Sequence, residues 1–187
     1  MEAVLLGPSD ISKTLRYGKV KNELEEYIDR MGAALARCFS GVVLIPDGGM
    51  PLEVGKAYTK HCGRKPVGVY PDRDTEDLEP NFRHVEPVHL PGSWADLNRN
   101  ITRQGNPVVC LGYSPGVFVE IGFLKYNQKR GEKEGSWERN IHLFIDKMAS
   151  GSRLPPQLEE ELKNVFYFDG PGGLEVLTEE RRLSLEH

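Results

Sequence analysis

Seven short apolar runs, at residues 3–6, 41–45, 66–70, 84–90, 107–111, 141–145 and 165–168, recur along the chain between segments of helical pattern. Several of them, such as Ala3-Val4-Leu5-Leu6 and Val42-Val43-Leu44-Ile45, are apolar without alternation. A strand needs apolar side chains on both sides only where both faces of its sheet are covered, which is the situation of a parallel sheet. Between the first two runs, residues 19–39 place Val20, Leu24, Tyr27, Ile28, Met31, Ala34, Leu35 and Cys38 at steps of three and four. That spacing predicts an amphipathic helix of about five turns. A second helix is expected to start near Pro51, where a missing N–H is harmless. A third is expected from Gly116 or Val117 to Lys129, a fourth over 156–164, and a Glu/Arg-rich helix after Gly170.

Strand and helix alternate throughout, the signature of right-handed βαβ units. The expected fold class is therefore α/β: a Rossmann-like three-layer αβα sandwich with a mostly parallel sheet of about six to seven strands. Residues 1–178 are read as a single domain and 179–184 as a tail. Residues 185–187, Leu-Glu-His, read as the remnant of a purification tag. Residues 72–91 look like a surface excursion around an edge strand, and 131–139, rich in charge and glycine, like a polar loop.

Composition narrows the function classes. A hydrophobic fraction of 39% beside 28% charged residues excludes a disordered chain. A formal charge of −4 lacks the basic footprint of a nucleic-acid binder. Cys38, Cys62 and Cys110 form no Cys-x-x-Cys pair and have no histidine at zinc-ligand spacing, so buried thiols are expected. The acids are not spaced as a metal cluster, and neither metal nor cofactor is expected. No apolar run approaches the roughly 20 residues that span a bilayer, and no signal peptide is visible, which predicts a cytoplasmic protein away from the membrane.

Three strand ends concentrate glycine and small residues: Gly7-Pro8-Ser9, Asp47-Gly48-Gly49-Met50 and Gly112-Tyr113-Ser114-Pro115-Gly116-Val117. In a parallel sheet all three lie on one edge. There glycines permit close approach of backbone to ligand, and the following helices aim N–H groups at an anion. A small ligand carrying phosphate is the expectation. Glu53 and Glu120 each sit about one turn inside such a helix, each followed by an apolar residue and glycine. Either fits a nucleophile, a base or a ribose ligand, or simply a carboxylate placed by the helix dipole. Asp10, Asp47, Asp72 and Asp146 follow strand ends, where capping and ligand contact are both open. Arg99 is available to a phosphate or to solvent. The histidines are scattered, and none pairs with a nucleophile.

The order of these segments resembles the lonely-guy (LOG)-type phosphoribohydrolases, a group also labelled lysine-decarboxylase-like, over roughly residues 3–178. The similar features are Gly7-Pro8-Ser9, Met31-Gly32 with Leu35-Ala36, Asp47-Gly48-Gly49, and Val67-Gly68-Val69-Tyr70-Pro71. The family motif Pro-Gly-Gly-x-Gly-Thr-x-x-Glu falls on residues 112–120, where Gly116 and Glu120 match. The motif's threonine is Val117 here, and its first two glycines are Tyr113 and Ser114. The resemblance implies cleavage of the N-glycosidic bond of a nucleoside 5′-monophosphate. Glu120 would serve the ribosyl centre, Arg99 the base, and the turns 47–50 and 112–117 the phosphate. It also implies a homodimer or higher homo-oligomer. A second similarity, of Gly49–Gly55 and Lys65-Pro66-Val67-Gly68, is to nucleoside 2-deoxyribosyltransferases and would make Glu53 the nucleophile. A non-catalytic nucleotide-binding or sensing module is the alternative of a different class.

Overall fold

Strand β1 (Glu2–Leu6) lies in the middle of the sheet, paired in parallel with β2 (Gly41–Leu44) on one side and β5 (Val108–Cys110) on the other. The computed structural model describes residues 1–11 and 21–185. Outward from β2 lie β3 (Val67–Tyr70) and β4 (Glu86–His89); outward from β5 lie β6 (Leu143–Asp146) and β7 (Val165–Phe168). The order is β4-β3-β2-β1-β5-β6-β7, and every pairing is parallel. The chain thus moves away from β1 in one direction, then crosses back over it to begin β5.

That reversal sends helices to both faces. Helices α1 (Lys21–Cys38), α2 (Gly49–Cys62) and α7 (Gly170–Leu185) cover one face, where Ala3, Leu5, Val42, Leu44, Val109 and Phe144 point. Helices α3 (Trp94–Asn100) and α4 (Pro115–Glu134) cover the other, over Val4, Leu6, Val43, Val108, Leu143 and Ile145. Neighbouring strand residues therefore enter opposite cores, and this is why the runs are apolar without alternation. The Rossmann-like three-layer sandwich is what the structure shows. Two short helices, α5 (Lys147–Ser150) and α6 (Pro156–Glu159), flank the end of β6.

Several local expectations are corrected. The expected loop at 131–139 is instead the end of α4, running to Glu134, followed by a 3-10 turn at Trp137–Asn140. Its Glu138 is buried and accepts from Arg103, Arg130 and Ser136. A charged stretch folds inward here because two guanidinium groups meet the one acid. The helix expected over 156–164 stops at Glu159. Gln128 of α4 binds both the N–H and the carbonyl of Lys163, and Asn164 takes a φ of 55°, which turns the chain into β7. The run at 84–90 contributes an edge strand of four exposed residues. Helix α3 was not expected, although Ser93 and Asp96 form a reciprocal capping box that marks its start.

Helices α1 and α2 meet at Gly32, where an added Cβ would stand 2.5 Å from the Cβ of Ala57 and 2.6 Å from the backbone of Ala57 and Tyr58. We expect Gly32→Val to push the two helices apart and cost about 1–3 kcal/mol, read as a lower urea midpoint. Glu138 gives a second test. Its pairing holds the carboxyl down at about 2, from 4.5. The associated stability is present above 4.5 and disappears as pH falls toward 2. Glu138→Gln should lower the midpoint at pH 7 and flatten its decline across that acid window.

Candidate binding crevice

The reversal at β1 opens the sheet's carboxyl edge between the turns that follow β1, β2 and β5, the place where open α/β sheets hold ligands. Pro8 is the hub of these turns. Its carbonyl accepts from the N–H of Met50 at 3.0 Å. Gly49, with φ 61°, passes so close that a Cβ would stand 2.0 Å from the same oxygen. Gly112, with φ 122°, rests on the other side of the ring, where a Cβ would lie 3.2 Å from Pro8 Cδ. Gly7, Ser9, Asp47, Gly48, Gly49 and Gly112 are therefore brought together. The glycines first serve the mutual approach of three turns, since no other residue lets the chains pass so closely. Beside them opens a groove bordered by Ser9, Ile11, Leu24, Ile28, Gly49 and Glu53.

The helix starts offer an anion fewer donors than the turn sequences suggest. In α4 Pro115 has no N–H, and Ser114 caps the helix by accepting from Val117 at 3.3 Å. Gly116 retains the free first-turn N–H. In α2 Met50 already donates to Pro8, Pro51 has none to give, and the cap at Gly48 lacks a side chain, leaving Gly49. The side chains of Met50 and Val117 are buried in the two cores and do not face the crevice. Tyr113 turns its ring onto Phe118, with centroids 5.0 Å apart.

Glu120 stands out among the acids. It is only 8% exposed, and among the described residues nothing donates a hydrogen bond to it or pairs with it. Burial first, and repulsion from Asp47 second, push its carboxyl up to about 8. Asp47, open to solvent at the mouth but walled by the surrounding turns, is pushed up to about 6 by the same loss of hydration. Asp47, from the end of β2, and Glu120, from α4, thus lie on turns to either side of β1 and are near enough for the one charge to be felt by the other. The sequence offers Asp47 as a capping or phosphate-binding residue of its turn; its influence on Glu120 has no signal in spacing, because only the sheet order brings the two near.

The remaining acids have other employment. Glu53 borders the groove and pairs with Lys56 at 2.6 Å. Asp146 accepts from Tyr27 of α1, Met148 and Gly170, which ties β6 to three helices. Asp72 accepts from Gly92 and pairs with His89 at the sheet's edge. Asp10 lines the groove beside Ser9. Arg99, on α3, reaches Asp96 at 3.9 Å and lies 5.6 Å over the ring of Phe123, one turn past Glu120.

No protein-family model matches the chain, and no curated protein matches its sequence. Solved structures do resemble it. The Moco carrier protein of Chlamydomonas reinhardtii superposes with a TM-score of 0.60 at 17% identity, covering 98% of each chain. The molybdenum cofactor binding protein of Rippkaea orientalis gives 0.61 at 16% identity, covering 96% of this chain and 95% of its own. A structural-genomics target gives 0.60 at 16% identity over 96% of this chain and 98% of its own. The likeness is one of fold. No helix among the described residues is long and apolar enough to cross a membrane, and no group of three or more potential metal ligands occurs among them.

The raised carboxyl of Glu120 has a consequence for stability. The folded protein keeps a proton that the unfolded chain releases above 4.5, so stability is fully present below that value and is lost as pH rises toward about 8. Asp47 adds the same trend at lower pH. Glu120→Gln should match the wild type in melting temperature at pH 4.5 and exceed it at pH 8.5, by the equivalent of roughly 2–4 kcal/mol.

Proposed function

We propose that the protein binds a nucleotide or a related phosphorylated heterocyclic cofactor in the crevice at β1, as a binding module first and a hydrolase only in a second reading. The observation that carries this is Glu120: a carboxyl nearly removed from water, near the start of α4, for which the described residues supply no hydrogen-bond or ion-pair partner. Leaving such a group unsatisfied costs stability, and a bound ligand that donates to it removes the cost. Ser9 and the N–H groups of Gly49 and Gly116 are the seat for the ligand's phosphate. That two proteins of similar fold are a carrier and a binding protein for the molybdenum cofactor supports the same class of role.

The second reading, N-glycosidic cleavage in the manner of the LOG-type enzymes, is favoured by one feature. Asp47 and Glu120 are two electrostatically coupled carboxyls with different proton affinities, the combination from which acid and base roles are drawn. Against it, a carboxyl that holds its proton near neutrality offers little negative charge to an oxocarbenium-like centre. The occupied donors of α4 point the same way. The transferase-like alternative with Glu53 as nucleophile is weakened by the ion pair with Lys56.

Incubation with a panel of nucleoside 5′-monophosphates, followed by chromatography and thermal melting, separates these readings. We expect a ligand-dependent rise in melting temperature without free base, abolished in Glu120→Ala and retained in Glu53→Ala. Free base that disappears in Glu120→Ala would establish the hydrolase instead; loss confined to Glu53→Ala would establish the transferase-like route.

A further inference from the structure

We propose that the outer face of α4 is a self-association surface, on which a second copy of this chain packs its own α4 antiparallel, about a twofold axis beside Gly122. The inference is independent of the ligand reading above.

Helix α4 lies between α3 and the chain at 156–162. On one flank Asn127 donates to the carbonyl of Arg99 and to the hydroxyl of Thr102; on the other, Lys125 and Lys129 pair with Glu161. Val117, Ile121 and Leu124 are buried in the core beneath. Steps of three and four place Pro115, Val119, Gly122, Phe123 and Tyr126 on the opposite side of the helix. Val119 is 48% exposed and Tyr126 63%. Single exposed apolar residues are ordinary, but a contiguous apolar strip on a helix marks an interaction surface.

Gly122 is the informative position. Glycine inside a helix lowers its stability relative to alanine. A Cβ at 122 would meet nothing within 4 Å, so the packing of the single chain gains nothing from its absence. A second helix does gain, because the distance between packed helices is set by the side chains at their contact. With the axis between 122 and 123, position 119 of one copy faces 126 of the other. Each Tyr126 ring then covers Val119 and Gly122 of the other copy, and the one operation matches large to small twice. This self-complementarity identifies the occupant as a second copy.

The rest of the face fits the anatomy of an interface. Lys129, Arg130 and Lys133 lie past the apolar section, where inclined helices diverge, and form a polar rim. Twenty residues make α4 about 30 Å long. With its two flanks, each about 10 Å away, the layer presents on the order of the 800 Å² per partner that a stable interface needs.

Sedimentation velocity at micromolar protein, with circular dichroism to establish folding, tests the proposal. We expect a wild-type dimer. Gly122→Glu, whose side chain has open space in the single chain, brings two carboxylates together near the axis and should weaken association at least about hundredfold. Tyr126→Lys should also yield monomer, and it alters only an exposed side chain. Val176→Glu, at a residue of α7 that is 61% exposed, should leave the dimer intact. A monomeric wild type, a dimer that persists in either folded α4 variant, or a dimer broken only by Val176→Glu would overturn the proposal.

Discussion

The arrangement at the carboxyl edge depends on β1 being hydrogen-bonded in parallel on both sides. Parallel pairing delivers the ends of β2, β1 and β5 to one edge, and the return crossover from β4 to β5 separates the helices that follow them. The turn after β1 is then held between its neighbours, with the Pro8 carbonyl gripped from one side by Met50 and Gly49 and the Pro8 ring met from the other by Gly112. Three glycines with positive φ, at positions 48, 49 and 112, make that convergence possible. A crevice between helices on opposite faces is the geometric result.

Within this frame, buried acids meet three different fates, and the contrast locates the site. Glu138 meets two arginines, and the hydroxyl of Ser136 first and Arg103 second hold it ionised far into the acid range. Asp146 is consumed as a junction, accepting from Tyr27 and from two backbone N–H groups so that β6, α1, α5 and α7 are fastened together. Among the described residues Glu120 has neither a cation nor a hydrogen-bond donor, and after burial the charge of Asp47 raises its carboxyl further. The first two are explained by the fold itself. The fold itself does not explain the third, which is why the proposed ligand site is placed there: an uncompensated carboxyl in an apolar wall is a standing cost.

The departures of the 112–120 segment from the Pro-Gly-Gly-x-Gly-Thr-x-x-Glu pattern also acquire physical content. Val117 packs into the core with its methyls, Tyr113 stacks on Phe118, and Ser114 spends its hydroxyl on the helix cap. Together they serve the core and the helix start, while Gly116 and Glu120 are the two positions that match the pattern.

Much of this was legible in the amino-acid order, and the limit of legibility has a simple cause. Apolar runs without alternation dictate strands covered on both faces, and helical periodicity between them dictates parallel crossovers; hence the sandwich, its strand number and the clustering of three glycine-bearing turns were open to reading. Glu120 was visible as an acid among apolar neighbours. What periodicity does not carry is which side of β1 each strand joins, and therefore which distant residues meet. The influence of Asp47 on Glu120, the burial of Glu138 in what reads as a polar loop, and the diversion of Asp146 into a structural junction all arise from that lateral order. Local sequence determines the elements because hydrogen bonding and side-chain periodicity act over a few residues. Charge and hydration are set by whatever the folded chain brings alongside, so only the tertiary structure decided which acid was left without a partner.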